Sequence, residues 1–423
     1  MIRSASSTAR AGHDVIVVGA GPAGSTAAWE LARAGVDVLL IDACEFPRSK
    51  PCGEAVSPGA TPLLEEMGIL PRLRREGATE VGRWRLRTPE GRFIAATFGS
   101  ASGSPAAPDA GIALSRRRLD AVLLEAAIAA GAEFRAPLRV FEVRERSAGR
   151  EAVRLLARDG SGRAFDFRAP WVIGADGLRS VVARRVTGIR RGARDRLAVV
   201  GRYRPEAGDG RDGSVLDRRT GELRLSAAGC LGAAPIEHGL WTVGVVVARR
   251  RAPELSVDPF AFFRAEIDGY GFPPPASEAV LHGGLEVTGP FEIAPFRVTA
   301  PGVVLTGDAA GYFDPFTGQG IYRALLTGRL AATAVLTALA DPREAVEARR
   351  AYADALDDCL VAGRRVQKLV DAVVNRPALM NPAGRLMARR PGLLSLLLDV
   401  TGDRVPPARL LRPSVLAAAW RGR

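Results

Sequence analysis

Residues 14–24 read Asp14-Val-Ile-Val-Val-Gly19-Ala-Gly21-Pro-Ala-Gly24, an apolar run followed by three spaced glycines. A short β-branched run that ends at glycine is typical of a buried parallel strand. Proline in the first turn and glycine after the last then predict a helix from Pro22 to Ala34. Gly19 permits a tight turn, Gly21 lets the backbone approach a phosphate, and Gly24 lets the helix pack closely on the strand. The segment therefore predicts a dinucleotide-binding turn.

The next strand supports this prediction because it ends in an acid. Residues 36–42 form a second apolar run, and Asp42 follows Gly24 by 18 residues. A carboxylate at this place accepts hydrogen bonds from both ribose hydroxyls, which favours FAD or NAD over NADP. The strand before the glycines, the helix after them and this acid together distinguish the motif from a chance match in a chain with 47 glycines.

Two further turns follow short apolar strands later in the chain. The first is Gly174-Ala-Asp176-Gly177, and the second runs from Gly307-Asp308 to Gly318-Gln319-Gly320-Ile321. Open α/β sheets bind ligands at the carboxyl ends of their strands, so we expect these turns to lie beside the first one.

The fold class predicted from these patterns is α/β. A doubly wound, Rossmann-type domain is interleaved with an antiparallel sheet domain, because alternating apolar and polar residues in 81–98 and 197–287 interrupt the nucleotide-binding segments. We assign residues 1–80, 110–186 and 288–345 to the dinucleotide-binding domain. Residues 81–109 and 187–287 form the substrate-binding sheet domain, and 346–423 a helical C-terminal region.

Composition excludes several other classes of protein. The chain has 423 residues, 47% hydrophobic and 25% charged, which is globular and neither disordered nor fibrous. Its net charge of +13 comes from scattered arginines, so we expect no nucleic-acid partner. Three histidines and four dispersed cysteines predict no metal site and no disulfide framework. The first 13 residues lack the apolar stretch of a signal peptide, so we expect a cytoplasmic location.

These motifs together resemble the para-hydroxybenzoate hydroxylase-type (class A) superfamily of FAD-dependent oxidoreductases. Within it the chain is similar to the geranylgeranyl reductase-like branch, through Pro47-Arg-Ser-Lys-Pro-Cys52-Gly53-Glu54 and the segment 307–321. The resemblance implies non-covalently bound FAD, with NAD(P)H as a transient reductant. The residues that it places at FAD are Gly19, Gly21, Pro22, Ala23, Gly24, Asp42, Cys52, Gly53, Arg116, Asp176, Gly307, Asp308, Pro315, Gly318, Gln319, Gly320 and Ile321.

Cys52 is the one candidate for a chemical role, and the catalytic acid or base is otherwise unidentified. The resemblance places its loop beside the flavin ring and the substrate. A thiol there could tune the flavin or donate a proton, whereas a free cysteine elsewhere is usually a small packing residue. We expect Cys44, Cys230 and Cys359 to be packing residues.

Three functions remain open at this stage. The aromatic and lysine motif of the isoprenoid reductases is absent from residues 229–239, which favours an NAD(P)H-dependent monooxygenase that uses O2 to hydroxylate a lipophilic aromatic or polyketide-type substrate in secondary metabolism. The first alternative is a flavin-dependent C=C reductase of isoprenoid chains. The second is a flavin-stabilised binding protein without turnover. Halogenation is disfavoured, because the halogenase tryptophan motif is absent.

The C-terminal tail has two interpretations. Residues 376–423 contain nine arginines and two acids around an apolar run. Such helices can lie on a membrane surface as a peripheral contact. They can equally cover the substrate domain, with the arginines facing solvent.

We expect the purified protein to be yellow, with one FAD per chain, because three ordered motifs converge on one dinucleotide. Flavin absorbance against protein concentration measures this ratio. A colourless protein that takes up no FAD on reconstitution would contradict the assignment.

Overall fold

The computed structural model describes residues 12–99, 109–146, 152–192, 195–205, 216–313, 318–374 and 376–407, with 414, 415 and 417, and gives only the backbone for 360–364. The strands are β1 (Val15–Val18), β2 (Val38–Ile41), β3 (Ala55–Val56), β4 (Thr79–Val81), β5 (Arg83–Arg87), β6 (Phe93–Thr97), β7 (Gly111–Ala113), β8 (Glu133–Arg135), β9 (Arg139–Arg144), β10 (Val153–Arg158), β11 (Ala164–Ala169), β12 (Trp171–Gly174), β13 (Ile189–Arg191), β14 (Arg196–Tyr203), β15 (Thr220–Ser226), β16 (Gly229–Pro235), β17 (Trp241–Ala248), β18 (Glu286–Thr288), β19 (Ile293–Pro295), β20 (Thr299–Ala300) and β21 (Val303–Leu305). The α-helices are α1 (Pro22–Arg33), α2 (Thr61–Glu66), α3 (Leu70–Arg75), α4 (Arg116–Ala129), α5 (Ala252–Val257), α6 (Pro259–Gly269), α7 (Gly320–Ala340), α8 (Ala345–Val374), α9 (Pro377–Arg389) and α10 (Pro391–Thr401).

A six-stranded sheet carries the three predicted turns. Its order is β20-β21-β12-β1-β2-β8, and all pairs are parallel except β20 with β21. Every residue of β1, β2 and β12 is buried, which explains their continuous apolar runs. Because β1, β12 and β21 are neighbours and parallel, the turns after them lie side by side. The predicted α/β fold class is confirmed.

The second sheet has seven strands in the order β18-β14-β17-β16-β15-β5-β6. Its pairs are antiparallel as predicted, except that β5 and β15 run parallel. The reason is connectivity: the chain leaves this sheet after β6 for the nucleotide-binding domain, so no hairpin dictates the direction in which it returns. The helices α2, α3, α5 and α6 were not predicted, because each is short or shares its segment with a β pattern.

The C-terminal helices pack on the second sheet. Val374 and Met380 join a buried cluster with Val246 of β17, and Leu394 of α10 packs with Ile94 of β6. Cys230 lies in the first of these clusters, as expected of a packing residue, but Cys44 is exposed and the prediction that it packs is wrong. Cys44 follows Asp42 in the loop after β2, where the chain has left the buried sheet.

Helix α7 is the central helix of the nucleotide-binding domain. Among the described residues, it alone has the length and apolar composition to cross a membrane, yet half of its most apolar stretch is buried in the fold. It crosses α1 at Gly328, where an added Cβ would lie 2.4 Å from the carbonyl oxygen of Ala23. The glycine therefore sets how closely α7 approaches the dinucleotide turn.

We expect Gly328→Ala to destabilise the protein by about 1–3 kcal/mol, since the new methyl group meets backbone atoms that have no rotamer to change. Thermal unfolding measures the effect. Gly269→Ala is the control: Gly269 is also a helical glycine, the last residue of α6, and no atom lies within 4 Å of its Cβ position. There alanine should be neutral or stabilising by up to about 1 kcal/mol. Equal melting temperatures for the two variants would contradict the close crossing.

Candidate flavin site

The first glycine turn is shaped by contacts that leave no room for side chains. Gly19 has φ +100°, and a Cβ there would lie 2.5 Å from the carbonyl oxygen of Ala175. A Cβ on Gly24 would lie 1.8 Å from the carbonyl oxygen of Gly19. These two glycines are therefore required by the backbone itself, and they bring the turns after β1 and β12 into direct contact.

Gly21 differs from them, because its Cβ position faces two guanidinium groups. Nη2 of Arg48 and Nη2 of Arg116 lie 3.7 and 3.8 Å from it. Helix α1 begins at this point with no side-chain cap and no acid in its first turn. Unpaired N–H groups, the positive end of the helix dipole and two arginines form a cradle that fits a pyrophosphate.

Asp42 stands at the edge of this cradle. Its carboxylate accepts hydrogen bonds from the backbone N–H groups of Ala20 at 2.8 Å and Cys44 at 2.9 Å, and Arg48 lies 3.4 Å away. Asp42 therefore ties the glycine turn to the end of β2. Each carboxylate oxygen keeps a lone pair, so the side chain can also accept bonds from ribose hydroxyls.

Arg116 is buried and held in one orientation by Asp120. Its Nε and Nη2 donate to the two carboxylate oxygens at 2.6 and 2.7 Å, and Arg48 donates to the same carboxylate at 3.0 Å. Burial would lower the pKa of Arg116, but the charge and hydrogen bonds of Asp120 outweigh it and raise the pKa. The guanidinium is thus permanently charged, as an anion site requires.

Asp176 lies beside the cradle but bonds to its own loop. Its carboxylate accepts bonds from Ser180 Oγ at 2.5 Å and from the backbone N–H groups of Val181 and Val182. Burial raises its pKa, and these bonds act in the opposite direction. The cation at this turn is instead Lys50, whose Nζ lies 3.1 Å from the Cβ position of Gly177. Asp176 shapes the turn, and Lys50 supplies a charge to it.

The third turn approaches helix α1 directly. Gly307 has φ +58°, and a Cβ there would lie 2.9 Å from the Cβ of Ala23. The next residue, Asp308, is half-buried, and its carboxylate has no hydrogen-bond or ion-pair partner among the described residues. This carboxylate can therefore accept hydrogen bonds from the hydroxyl groups of a ribityl chain.

The loop from Lys50 to Glu54 joins the two sheets. Glu54 is fully buried, has φ +58°, and accepts bonds from the backbone N–H of Arg116 at 2.9 Å and from Arg202 of β14 at 2.9 Å. Burial raises the pKa of Glu54, while Arg202 acts to lower it. Arg202 also binds Glu286 of β18 at 2.9 Å. A buried ion-paired network therefore fixes this loop between the domains.

Cys52 lies within the same loop, half-buried. Its carbonyl oxygen accepts a bond from Thr242 of β17 at 3.4 Å, and its Sγ accepts one from the backbone N–H of Glu54 at 3.3 Å. No heavy atom lies within 4 Å of the Cβ position of the neighbouring Gly53, so the loop faces open space.

The residues before α7 are only partly described. Pro315 lies outside the described residues. Gly318 and Gly320 have open space at their Cβ positions, and Ile321 is buried in the domain core. The side chain of Gln319 turns away from this space: its Nε2 donates to Asp403 at 2.6 Å and its Oε1 accepts from Arg323 at 2.9 Å. Gln319 can therefore contact a cofactor only through its backbone.

Sequence reasoning missed four charged residues of this site. Arg48 and Lys50 stand inside the Pro47–Glu54 segment. Two cations shortly before Gly53 were a signal from which an anion-binding role could have been predicted. Arg202 lies in a β strand with no local motif. Asp403 lies in the tail, where only Asp399 and Asp403 interrupt the arginines.

Comparisons with known proteins agree with this geometry. A family model described as FAD binding domain matches residues 12–201. The chain is 30% identical to a menaquinone reductase of Mycobacterium tuberculosis, over 97% of this chain and 95% of the relative. It is 30% identical to digeranylgeranylglycerophospholipid reductase 1 of Methanopyrus kandleri, over 81% and 85% of the two chains. The solved structure of the myxobacterial chondrochloren halogenase CndH matches with a TM-score of 0.74 at 21% identity, covering 98% of each chain. That likeness concerns the fold.

We expect Asp42→Asn to weaken FAD binding about tenfold or more, because the ribose loses a charge-assisted hydrogen bond worth about 1.5–3 kcal/mol. Flavin fluorescence titration of the apoprotein measures the dissociation constant. Asp37→Asn is the control, since Asp37 precedes the same strand at its far end, where it pairs with His13. Equal affinities in both variants would remove Asp42 from the site.

Proposed function

We propose that the chain, which belongs to the geranylgeranyl reductase-like branch of the para-hydroxybenzoate hydroxylase-type FAD-dependent oxidoreductases, reduces a carbon–carbon double bond in the isoprenoid chain of a lipophilic substrate. The observation that carries the proposal is the near full-length similarity to a reductase, with 97% of this chain aligned. The substrate class is a quinone or lipid with a prenyl chain, in line with the names of the two relatives.

This proposal changes the chemistry favoured by sequence motifs alone. The preference for hydroxylation rests on residues 229–239, which lack the reductase motif. In the structure that segment forms β16 and a turn whose Glu237 binds Ser115, with 2.9 Å to its N–H and 2.5 Å to its Oγ. The segment therefore has a structural task, since it positions the start of α4 and Arg116. For this reason the absence of the aromatic residues argues less strongly against reduction than the sequence alone suggested.

The residues of the Lys50–Glu54 loop support a reductase. When bound and reduced, FAD supplies the hydride for one carbon of the double bond. The other carbon needs a proton, and Sγ of Cys52 is the candidate donor because its loop lies at the junction of the two sheets. We expect the positive charge of the buried Arg116, which interacts electrostatically with Cys52, to offset the negative charge that remains on the sulfur. The thiolate then regains a proton from solvent.

The buried network around Glu54 keeps the loop in place for this step. Arg202 binds the Glu54 carboxylate and lies 3.4 Å from the carbonyl oxygen of Lys50, while Thr242 holds the carbonyl oxygen of Cys52. These contacts fix both ends of the Cys52 peptide to the substrate sheet. A proton donor fixed in this way is pre-oriented towards its acceptor.

Hydroxylation of a lipophilic aromatic ring is the second candidate, favoured by the absent reductase motif. In either case NAD(P)H is the proposed reductant, docking transiently. A peripheral contact of the C-terminal helices with a membrane would suit a lipid substrate: Leu379 and Leu386 of α9 are exposed beside arginines. The proposed location remains cytoplasmic.

We expect anaerobic, dithionite-reduced protein mixed with menaquinone in detergent micelles to be reoxidised as one double bond is saturated. Flavin absorbance and the product mass, two hydrogens heavier, measure the two changes together. A second experiment adds O2 to the reduced protein in the presence of aromatic substrates. A flavin-hydroperoxide absorbance at about 370–390 nm, expected from flavin chemistry, together with an oxygenated product would establish a monooxygenase instead.

Cysteine variants test the proton donor in the same assay. We expect Cys52→Ala to slow double-bond reduction about a hundredfold, within the usual range for general acid catalysis, while FAD remains bound. Cys44→Ala, which removes an exposed thiol eight residues earlier, should leave the rate unchanged. Full activity in Cys52→Ala, with a normal flavin spectrum, would exclude the thiol as donor.

A further inference from the structure

Helix α10 ends in an unusual way. Its last residue is Thr401, Gly402 follows as C-cap, and Asp403 then adopts φ +57°. A left-handed residue at this position stops many helices, but it is normally glycine, or sometimes asparagine. An aspartate carries a backbone cost there of about 1 kcal/mol or more. Such strain is a reason to ask what the side chain does.

The Asp403 side chain bridges two segments, the turn that follows the Cys52 loop and the residue that precedes α7. Its Oδ2 lies 2.7 Å from Oγ of Ser57, in the turn that follows the Cys52 loop. Its Oδ1 accepts the bond from Nε2 of Gln319, the residue before α7. The backbones also touch: Gly59 N–H donates to the carbonyl oxygen of Gly402 at 3.0 Å, and a Cβ on Gly59 would lie 2.4 Å from the carbonyl oxygen of Asp403.

We propose that Asp403 is a positioning residue of the flavin site, whose carboxyl group holds Ser57 and Gln319 together and so fixes the turn after the Cys52 loop and the start of α7 from the C-terminal region. Gln319 also binds Arg323, one turn along α7, and its Nε2 donates to the carbonyl oxygen of Val400 in α10 at 3.4 Å, so the 2.6 Å bond to Asp403 is the shorter of its two links to the C-terminal region. The proposal rests on the assignment of these loops to FAD, which is common to a reductase and a hydroxylase, and not on the choice between them.

The protonation state of Asp403 couples this link to pH. Burial of the carboxyl group raises the pKa of Asp403 to about 7, against the hydrogen bonds from Ser57 and Gln319 and the charge of Arg323. The other titratable group that faces it is Tyr322 of α7, whose pKa burial and the Asp403 charge raise to about 12. The neighbouring Arg404 is engaged with Asp399 at 3.1 Å and Asp109 at 3.0 Å.

The direction of the pH effect follows from these groups. Below about pH 7 the neutral carboxyl group accepts from Gln319 and can donate to Ser57, so both links persist without a charge. Above that pH the buried carboxyl group carries a charge that is costly to hold between the two loops, so we expect FAD binding to weaken as pH rises. The free energy of unfolding changes with the same sign: the folded pKa exceeds the ordinary value of 3.8, so the contribution is full at low pH and is lost as pH rises towards 7.

Two substitutions of Asp403 separate its backbone from its carboxyl group. Asp403→Gly removes the carboxyl group and relieves the left-handed strain. We expect it to weaken FAD binding roughly tenfold without lowering the apoprotein Tm. Asp403→Asn imitates the neutral form, accepting from Gln319 and donating to Ser57. We expect this variant to bind FAD at about pH 6 as tightly as the native protein does. At about pH 8, where the native protein binds FAD more weakly, the affinity of the variant should be unchanged.

The measurement is the FAD dissociation constant of reconstituted full-length protein by flavin fluorescence, with Tm recorded in parallel and no substrate present. Asp399→Asn is the control, because it removes the other acid of the tail, which binds Arg404 and the N–H of Gly99. It should lower Tm but leave FAD affinity and its pH dependence intact. Native affinity in Asp403→Gly would overturn the proposal, as would an equal loss of affinity in Asp399→Asn. Failure of double-bond reduction would leave these results unaffected.

Discussion

The backbone contact between the turns after β1 and β12 is the constraint on which the rest of the site depends. Gly19 and Gly24 have no space for a Cβ, and Gly19 lies directly against the carbonyl oxygen of Ala175. This contact fixes the start of α1 relative to the sheet, and the unpaired N–H groups of α1 then define where a pyrophosphate can bind. Gly328 extends the constraint to α7, so the third turn approaches the same place.

A second level of organisation is the buried charge network that joins the two sheets. Glu54 and Arg202 would each be costly to bury alone, and they are stable only as a pair with additional partners. Because Glu54 also receives the N–H of Arg116, one carboxylate positions the Cys52 loop, the pyrophosphate-facing arginine and the substrate sheet. The proposed chemistry at Cys52 and the binding of FAD would therefore depend on the same contacts.

The C-terminal region has more than one task in this architecture. Its apolar residues cover the second sheet, consistent with the simpler interpretation of the tail, and Asp403 binds Gln319 next to the start of α7. The proposed membrane contact through Leu379 and Leu386 of α9 is compatible with both tasks, since these two side chains are exposed.

The sequence by itself determined the parallel sheet, the glycine turn and the position of Asp42, because these depend on local patterns: buried β-branched runs, glycines that a turn requires, and an acid at a fixed distance along the chain. It also placed Arg116 and Asp308 through a family resemblance. Only the tertiary structure decided that Asp176 bonds within its own loop, that Gln319 turns away from the open space, and that Arg48, Lys50, Arg202 and Asp403 converge on the site. The physical reason is that a charged side chain's role depends on which distant partner it meets, and residues 202 and 403 meet theirs only after both sheets and the tail have packed together.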